Sequence, residues 1–515
     1  MHCLYDLLED VEVLEIKNKK NVEVKGVEYN SRNVTPGDIF VCIKGYRTDG
    51  HQYFAEAVSH GAAAVVVEEL QEDDTVPQVR VDNSRRALAA LSCNLFGHPS
   101  RSMRVVGVTA TNGKTTTAYM IDRIMEKHGL MTGLMGTVVY KMGRHVEPAR
   151  LTTPESLDLQ RSFARMQEED VSHVTMEVSS GALQLSRVEG VDFDIVTLNN
   201  INKEHIDFHG SFERYFKSKS LLIRNAGKGA RAVLNLDCPY SASLVDDTEA
   251  GVVTFGVESR EGHLGCRNLD LSTGRARFTA EVLKPFSGEG KEYRPGEKIK
   301  LALAVPGYHS VYNSMVALTA GMLCGVPAET IKNALQGFRG VERRFELIFE
   351  DDFKILDDHF ANSGNINMTL GTLQLMDSRK IRVVYAIRGS RGVTVNRENA
   401  EAIASWAPRI GLDEIVVTLS RSHVTEKDRV TEEEVEAFQE VMSRAGIKVR
   451  LFEELPDAIF SALSAVQPGD VIILAGAQGM DYGAGIALEL IRQWRPEIDH
   501  KRLFEPLENR VAGIT

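Results

Sequence analysis

Apolar residues in this chain fall into two alternating patterns: short unbroken runs, and longer stretches in which they recur at every third or fourth position. The first pattern reads as buried strand and the second as a helix covering it. Their repeated succession predicts an α/β protein built on mostly parallel sheets. The clearest case is Val105-Val106-Gly107-Val108, a run that ends in the small-residue turn Thr109-Ala110-Thr111-Asn112-Gly113-Lys114-Thr115-Thr116-Thr117. Beyond the turn, Ala118, Met120, Ile121, Ile124 and Met125 share one helical face, and Gly129 follows as the expected C-cap.

The same alternation divides the chain. Residues 1–100 form one α/β unit, with a buried strand over 37–43 behind a Pro36-Gly37 turn and another strand completing 61–67. Gly97-His98-Pro99-Ser100-Arg101 reads as a linker. Residues 101–340 carry strands at 103–109, 173–178, 195–198 and 232–236, which predicts a central parallel sheet of the P-loop type. Within it, 285–297 is rich in Gly, Pro and charge and reads as a surface hairpin, 313–323 as helix, and 337–340 as a boundary. Residues 341–515 repeat the pattern, with strands at 382–387, 414–419, 449–452 and 471–475 and a helix at 432–445. That is a Rossmann-like open sheet, whose ligands sit beyond the carboxyl ends of the strands. Three domains also suit 515 residues, too many for one ordinary core.

Composition narrows the class. With 43% hydrophobic and 26% charged residues the chain is an ordinary globular protein. A net charge of −12 argues against a nucleic-acid-coating surface, and no apolar run approaches the roughly 20 residues of a membrane span. The first fifteen residues mix Leu and Val with Asp6, Glu9, Asp10 and Glu12, without a basic leader or apolar signal core. The six cysteines show no paired metal spacing and read as reduced core thiols. A cytoplasmic protein acting on small molecules, without nucleic-acid or membrane partners, is the expectation.

Four places can carry chemistry. The turn after Val108 is a phosphate cradle: backbone N–H groups and a helix N-terminus receive the anion, Lys114 adds a point charge, and Thr115 can bind Mg²⁺. The generic spacing would put glycine at 108, where Val108 stands, so a plain flexible turn is the alternative. Glu177 leaves an apolar strand in Thr175-Met176-Glu177-Val178-Ser179-Ser180, either as a Mg²⁺ ligand or as a solvated loop acid. Asn199-Asn200-Ile201-Asn202-Lys203-Glu204-His205-Ile206-Asp207-Phe208-His209-Gly210 packs histidines, acids and asparagines behind a strand, which favours a site over a structural turn. Tyr215-Phe216-Lys217-Ser218-Lys219-Ser220-Leu221-Leu222 offers a lysine to a phosphate site, although a solvated helix face is the simpler reading by pattern alone.

Together these motifs resemble the Mur ligase family, most of all its MurE-type (UDP-N-acetylmuramyl-tripeptide synthetase) branch. The resemblance runs nearly end to end. It rests on Asn30-Ser31-Arg32 with Pro36-Gly37-Asp38-Ile39-Phe40-Val41, Thr109–Thr116, Thr152-Thr153-Pro154-Glu155, Met176-Glu177-Val178-Ser179-Ser180 and His205-Ile206-Asp207-Phe208-His209-Gly210. It implies an N-terminal UDP-sugar-binding domain, a central ATP-binding domain and a C-terminal amino-acid-binding domain. Thr111, Asn112, Gly113, Lys114, Thr115 and Thr116 would hold the ATP phosphates, and Thr115, Glu177 and His205 would serve the metal ions. Asn200 and Asn313 would lie near the adenine, and Arg344 and Asp357 would close over ATP. Ser31, Thr152, Thr153, Ser179 and Arg187 match contacts to the nucleotide-sugar peptide. Lys219 matches a carbamylated lysine; CO₂ adds only to a neutral amine, so such a lysine needs partial desolvation. The implied enzyme is a monomeric, ADP-forming ligase. A carboxylate of UDP-MurNAc-L-Ala-D-Glu takes the γ-phosphoryl of ATP, and an amino acid's amine then displaces phosphate, in peptidoglycan precursor synthesis.

The chain departs from that pattern in places. Ala110 stands for a phosphate-loop glycine, Gly181 for a histidine, and Asp357-Asp358-His359-Phe360-Ala361-Asn362 for Asp-Tyr-Ala-His-Thr-Pro. The Asp-Asn-Pro-Arg element that reads diaminopimelate becomes Ser420-Arg421-Ser422-His423, and Gly-Lys-Gly-His-Glu becomes Gly476-Ala477-Gln478-Gly479-Met480. Met480 cannot replace an acid that pairs with a distal ammonium, whereas Arg421 or His423 can hold a carboxylate. Two other readings stay open: a ligase of the same chemistry on cyanophycin- or polyglutamate-type substrates, and a nucleotide-binding scaffold without catalysis.

Overall fold

The computed structural model describes residues 2–45, 48–202, 210–272, 275–508, 510, 511 and 513. They fall into two units: Met1–His263 with Phe286–Glu292 and Val316–Val326, and Leu264–Pro285 with Tyr293–Met315 and Pro327–Thr515.

In the first unit the N-terminal strands β1 (Val13–Lys17), β2 (Gly26–Glu28), β3 (Asp38–Val41), β4 (Ala64–Val67) and β5 (Gln78–Val81) form a sheet in the order β1-β5-β4-β3-β2. Helix α1 (Ser84–Phe96) starts where the Asn83 side chain accepts the Arg85 and Arg86 amides, and stops at Gly97 with φ +69°.

The second sheet of this unit holds β6 (Arg104–Thr109), β7 (Thr132–Met135), β8 (Val139–Met142), β9 (His145–Pro148), β10 (His173–Glu177), β11 (Ile195–Leu198), β12 (Arg231–Asn235) and β13 (Gly251–Gly256), in the order β9-β8-β7-β10-β6-β11-β12-β13. Strands β7, β10, β6, β11, β12 and β13 are parallel. Val105, Val106, Val174 and Val196 are buried, as a sheet covered on both faces requires. Register decides the site. Glu177 lies beside Val108, and Leu198 beside Thr109, so the carboxyl ends of β10, β6 and β11 come level. The expected strand boundaries at 103–109, 173–178, 195–198 and 232–236 agree within one residue.

The second unit carries an antiparallel meander, β14 (Leu264–Asp270), β15 (Arg275–Val282) and β16 (Lys298–Pro306). It also carries a six-stranded sheet made of β17 (Glu346–Glu350), β18 (Lys354–Asp358), β19 (Ile381–Ala386), β20 (Glu414–Thr418), β21 (Lys448–Phe452) and β22 (Val471–Gly476). The order is β17-β18-β22-β19-β20-β21, parallel except for β17. Asp358 lies level with Ala475, and Ala386 with Gly476 and Thr418, so the loops after four strands open at one end. All six cysteines are free, and only Cys3 is exposed. Among the described residues no helix is long and apolar enough to cross a membrane.

Candidate active site

The turn after β6 is held from both sides. Gly113, at φ +86°, turns the chain into the helix Lys114–Lys127, whose first amides therefore face the loop. Asn200, just past β11, donates from its amide nitrogen to the Asn112 carbonyl at 2.9 Å and accepts the Asn112 N–H at 3.0 Å. The Thr111 N–H donates to the Asn200 carbonyl at 2.8 Å, and the Thr111 hydroxyl meets Tyr215 Oη at 2.9 Å. Asn200 thus pins the loop through both ends of its amide. Lys114 bends its ammonium onto the Ala110 and Thr111 carbonyls, at 2.9 and 3.1 Å. Thr116, in the first turn of the helix, is half-buried.

Glu177 is no solvated loop acid. It is 1% exposed and accepts from Thr115 Oγ1 at 3.0 Å, the Thr137 amide at 2.8 Å and Thr137 Oγ1 at 3.2 Å. Gly136 makes room for it: a Cβ there would stand 2.4 Å from Glu177 Oε1. Thr137 is a residue the sequence reading missed, because only the register of β7 against β10 reveals its partner.

Lys219 corrects the helix-face reading. The helix Phe212–Arg224 exposes Lys217 but buries Lys219 to 2% exposure, one turn from buried Tyr215. Its amine donates to the Ala110 carbonyl at 2.9 Å and lies 5.1 Å from the Tyr215 ring centroid. The structure therefore brings Lys114, Thr115, Glu177 and Lys219 around one turn. His205 lies outside the described residues.

The residues assigned to the nucleotide-sugar peptide surround the same end of β10. Thr153 Oγ1 donates to the Glu177 carbonyl at 2.9 Å and accepts the Ser179 amide at 3.1 Å; Ser179 caps the next helix. Thr152 meets Thr137 at 3.2 Å. Arg187 donates to the Thr153 carbonyl at 3.2 Å and pairs with Glu155 at 2.8 Å, while its buried Nε has no hydrogen-bond partner among the described residues. Arg85 reaches the same Glu155 from the N-terminal domain at 3.0 Å, and there Ser31 donates to Glu56 at 2.6 Å.

In the second unit Asn313 is buried on the helix Tyr308–Leu323, and Arg344 is half-buried. Asp357 is fully buried, with its carboxylate shared by Arg343 at 3.4 Å and Arg510 at 2.8 Å. As placed it presents no surface to a ligand. Arg343, which sequence reasoning passed over for its neighbour, sits at φ +55° and donates to the Gly476 carbonyl at 2.5 Å and the Ala477 carbonyl at 3.0 Å, and also to Asp481. Two adjacent arginines look alike in sequence; which one points inward depends on backbone geometry. Burial pushes the acids of this cluster, Glu346 and Asp481, above the usual carboxylate range. Arg421 is exposed and pairs with Glu453 at 2.8 Å, and His423 packs against Tyr482, ring centroids 5.5 Å apart.

Chemically, the first-unit site is an anion cradle with a hydroxyl and a carboxylate beside it. Those are hard oxygen donors suited to Mg²⁺. No group of three His, Cys, Asp or Glu side chains converges among the described residues, so Thr115 and Glu177 would have to share such an ion with phosphate oxygens and water.

Comparison with known proteins agrees along the whole chain. The Mur ligase family catalytic domain matches residues 23–95, the Mur ligase middle domain 108–321, and the Mur ligase glutamate ligase domain 343–478. A Halalkalibacterium halodurans protein named UDP-N-acetylmuramoyl-L-alanyl-D-glutamate--2,6-diaminopimelate ligase is 35% identical over 92% of this chain and 93% of its own. A Bacillus velezensis protein of the same name is 34% identical over 88% and 89%. Among solved structures, MurF from Acinetobacter baumannii superposes with TM-score 0.64 at 18% identity, covering 95% of this chain and 98% of that one. MurF from Thermotoga maritima in complex with ADP gives 0.58 at 20% identity, over 92% and 98%. These structures speak for the fold alone: an N-terminal α/β domain, a central parallel-sheet domain and a C-terminal Rossmann-like domain. The chain belongs to the Mur ligase family.

Proposed function

We propose that the protein is an ATP-dependent, ADP-forming ligase of MurE type, which adds an amino acid to UDP-MurNAc-L-Ala-D-Glu through an acyl phosphate. The observation that carries this reading is the pairing of Thr115 with Glu177 at 3.0 Å beneath the loop that bears Lys114. Residues 1–100 would bind the UDP-sugar donor, 101–340 ATP, and 341–515 the incoming amine.

In this reading the loop amides of Thr111–Thr116 and the Lys114 ammonium orient the triphosphate for in-line attack by the donor carboxylate. Lys114 exchanges two neutral carbonyl partners for a charged one, which favours the bound state. Thr115 and Glu177 would hold Mg²⁺, and His205 a second ion. When bound, the metal neutralises phosphate charge. Asn200 keeps the loop in register, and Asn313 and Arg344 are assigned to ATP. Asp357, now paired with Arg343 and Arg510, is assigned to ATP with them. Arg187, with its orphaned Nε, Ser31, Thr152, Thr153 and Ser179 are assigned to the donor. Lys219, buried beside Ala110, is the residue proposed to carry a carbamate, whose negative charge would orient cations. A nucleotide-linked donor and ATP set the reaction in the cytoplasm, and a monomer suffices for it.

Purified protein given ATP, Mg²⁺ and UDP-MurNAc-L-Ala-D-Glu should release phosphate only when an acceptor amine is added. Phosphate release that ignores the donor would refute the proposal.

A further inference from the structure

Glu155, the residue just ahead of the helix Ser156–Glu168, is shared by two arginines from distant parts of the chain. Arg85, in the first turn of α1, donates from Nη1 to Glu155 Oε2 at 3.0 Å, and Arg187 Nη2 lies 2.8 Å from Glu155 Oε1. The side chains of Arg85, Glu155 and Arg187 are 14%, 11% and 18% exposed, so solvent and salt screen them little. Two guanidinium groups thus take different oxygens of one carboxylate. The acids nearby are engaged elsewhere: Asp158, in the first turn of the same helix, accepts from Tyr29 Oη at 2.6 Å and pairs with Arg161 at 3.1 Å, and Glu28 pairs with Arg161 at 3.2 Å.

Sharing the acid changes what Arg187 can do. Arg187 also donates to the neutral Thr153 carbonyl at 3.2 Å, and its Nε has no hydrogen-bond partner among the described residues. A bidentate fork onto Glu155 would cancel its charge, and Arg85 blocks that fork by taking the second oxygen. Arg85 is itself held in place, because Asn83 Oδ1 accepts its backbone N–H at 3.0 Å and its Nε reaches the Lys44 carbonyl at 3.4 Å. Joining the N-terminal domain to the central one is not its distinctive task. Arg86 with Glu189 at 2.9 Å, Tyr29 with Asp158, and Glu28 with Arg161 already do so.

We propose that Arg85 is a positioning residue for the donor: by occupying one oxygen of Glu155 it keeps Arg187 beside Thr153 with its charge available to the anionic donor. The inference rests on the ligase reading above and on the assignment of Arg187 to the donor. It adds a residue that acts through Glu155 and Arg187. Without Arg85, Glu155 is a poorly solvated carboxylate with Arg187 as its remaining ion-pair partner among the described residues. The fork then closes, draws the guanidinium off the Thr153 carbonyl, and leaves the donor facing a neutralised pair.

The test gives the purified protein ATP, Mg²⁺ and UDP-MurNAc-L-Ala-D-Glu, with hydroxylamine converting the acyl phosphate to hydroxamate and free phosphate. For Arg85→Ala the expected result is a donor KM raised about tenfold or more, with kcat and the ATP KM within about threefold of the parent. Arg86→Ala breaks a cross-domain ion pair without touching Glu155 and should leave the donor KM unchanged. The double variant Arg85→Ala/Glu155→Gln removes the unbalanced acid and should recover most of the donor KM, which a merely structural loss would not. Arg85→Lys, with and without Glu155→Gln, repeats the comparison at smaller cost to folding and should fall between parent and alanine. An Arg85→Ala donor KM within about threefold of the parent, an equal rise in Arg86→Ala, or no recovery in the double variants overturns the positioning role and leaves the ligase reading standing. No hydroxamate from the parent overturns the ligase reading and this inference with it.

Discussion

Replacing Gly136 by alanine puts the proposed metal-holding carboxylate to a quantitative test. The added Cβ would stand 2.4 Å from Glu177 Oε1, where real Cβ atoms keep at least 3.0 Å. Glu177 cannot yield freely, because Thr115 Oγ1, Thr137 Oγ1 and the Thr137 amide hold it within 3.2 Å. Hydrogen bonds to a charged group are worth about 1.5–3 kcal/mol each, so shifting the carboxylate far enough costs at least one of them. If Glu177 positions the cation that neutralises the transferred phosphoryl group, kcat/KM should fall on the order of 100-fold, about 2.7 kcal/mol. The Mg²⁺ concentration for half-maximal rate should rise as well. Overpacking itself costs about 1–3 kcal/mol, so the chain stays folded and urea unfolding separates the two effects. Gly229→Ala, where the new Cβ has nothing within 4 Å, serves as the control. The assay is donor- and amine-dependent ADP release at varied Mg²⁺. A Gly136→Ala enzyme with kcat/KM within threefold of the parent and an unchanged Mg²⁺ dependence would refute the reasoning.

Lys219→Ala should lose most activity and regain part of it with formate or acetate, which can stand in for a carbamate; unchanged activity removes that lysine from the mechanism. Arg510→Ala leaves buried Asp357 with Arg343 as its remaining ion-pair partner among the described residues, and should lower stability by about 3 kcal/mol in urea unfolding. A loss too small to measure would mean that the cluster is weakly coupled to folding. Burial lowers His309 to about 4, so the folded state resists protonating it while the unfolded chain takes up a proton near 6.5. Its contribution, about 3 kcal/mol from the difference in pKa, is complete above pH 6.5 and is lost as pH falls toward 4. His309→Gln should flatten the stability profile in that window, and an identical profile would contradict the assignment.

The phosphate loop was legible because three local signals agree there: a β-branched run, a glycine that turns the chain at positive φ, and an amphipathic helix behind it. The alternating strands of the final domain were legible for the same reason. Features fixed by register were not. Thr137 reaches Glu177 only because β7 lies beside β10, and nothing within either segment announces that pairing. Lys219 sits among charged and polar neighbours and reads as solvated, yet Tyr215, Leu222 and Ile223 decide which face of its helix turns inward. Asn200 is assigned to the base of the nucleotide by resemblance, and its grip on Asn112 shows only once β11 lies beside β6. The inward turn of Arg343 and the reach of Arg510 across 153 residues to Asp357 depend on three-dimensional closure.

Isotope transfer tests the central claim most directly. With both oxygens of the donor's terminal glutamate carboxylate labelled with ¹⁸O, an acyl-phosphate route moves one label into the phosphate released at each turnover. The account predicts singly labelled phosphate, in step with ADP and amide formation. Unlabelled phosphate accompanying amide formation would contradict it.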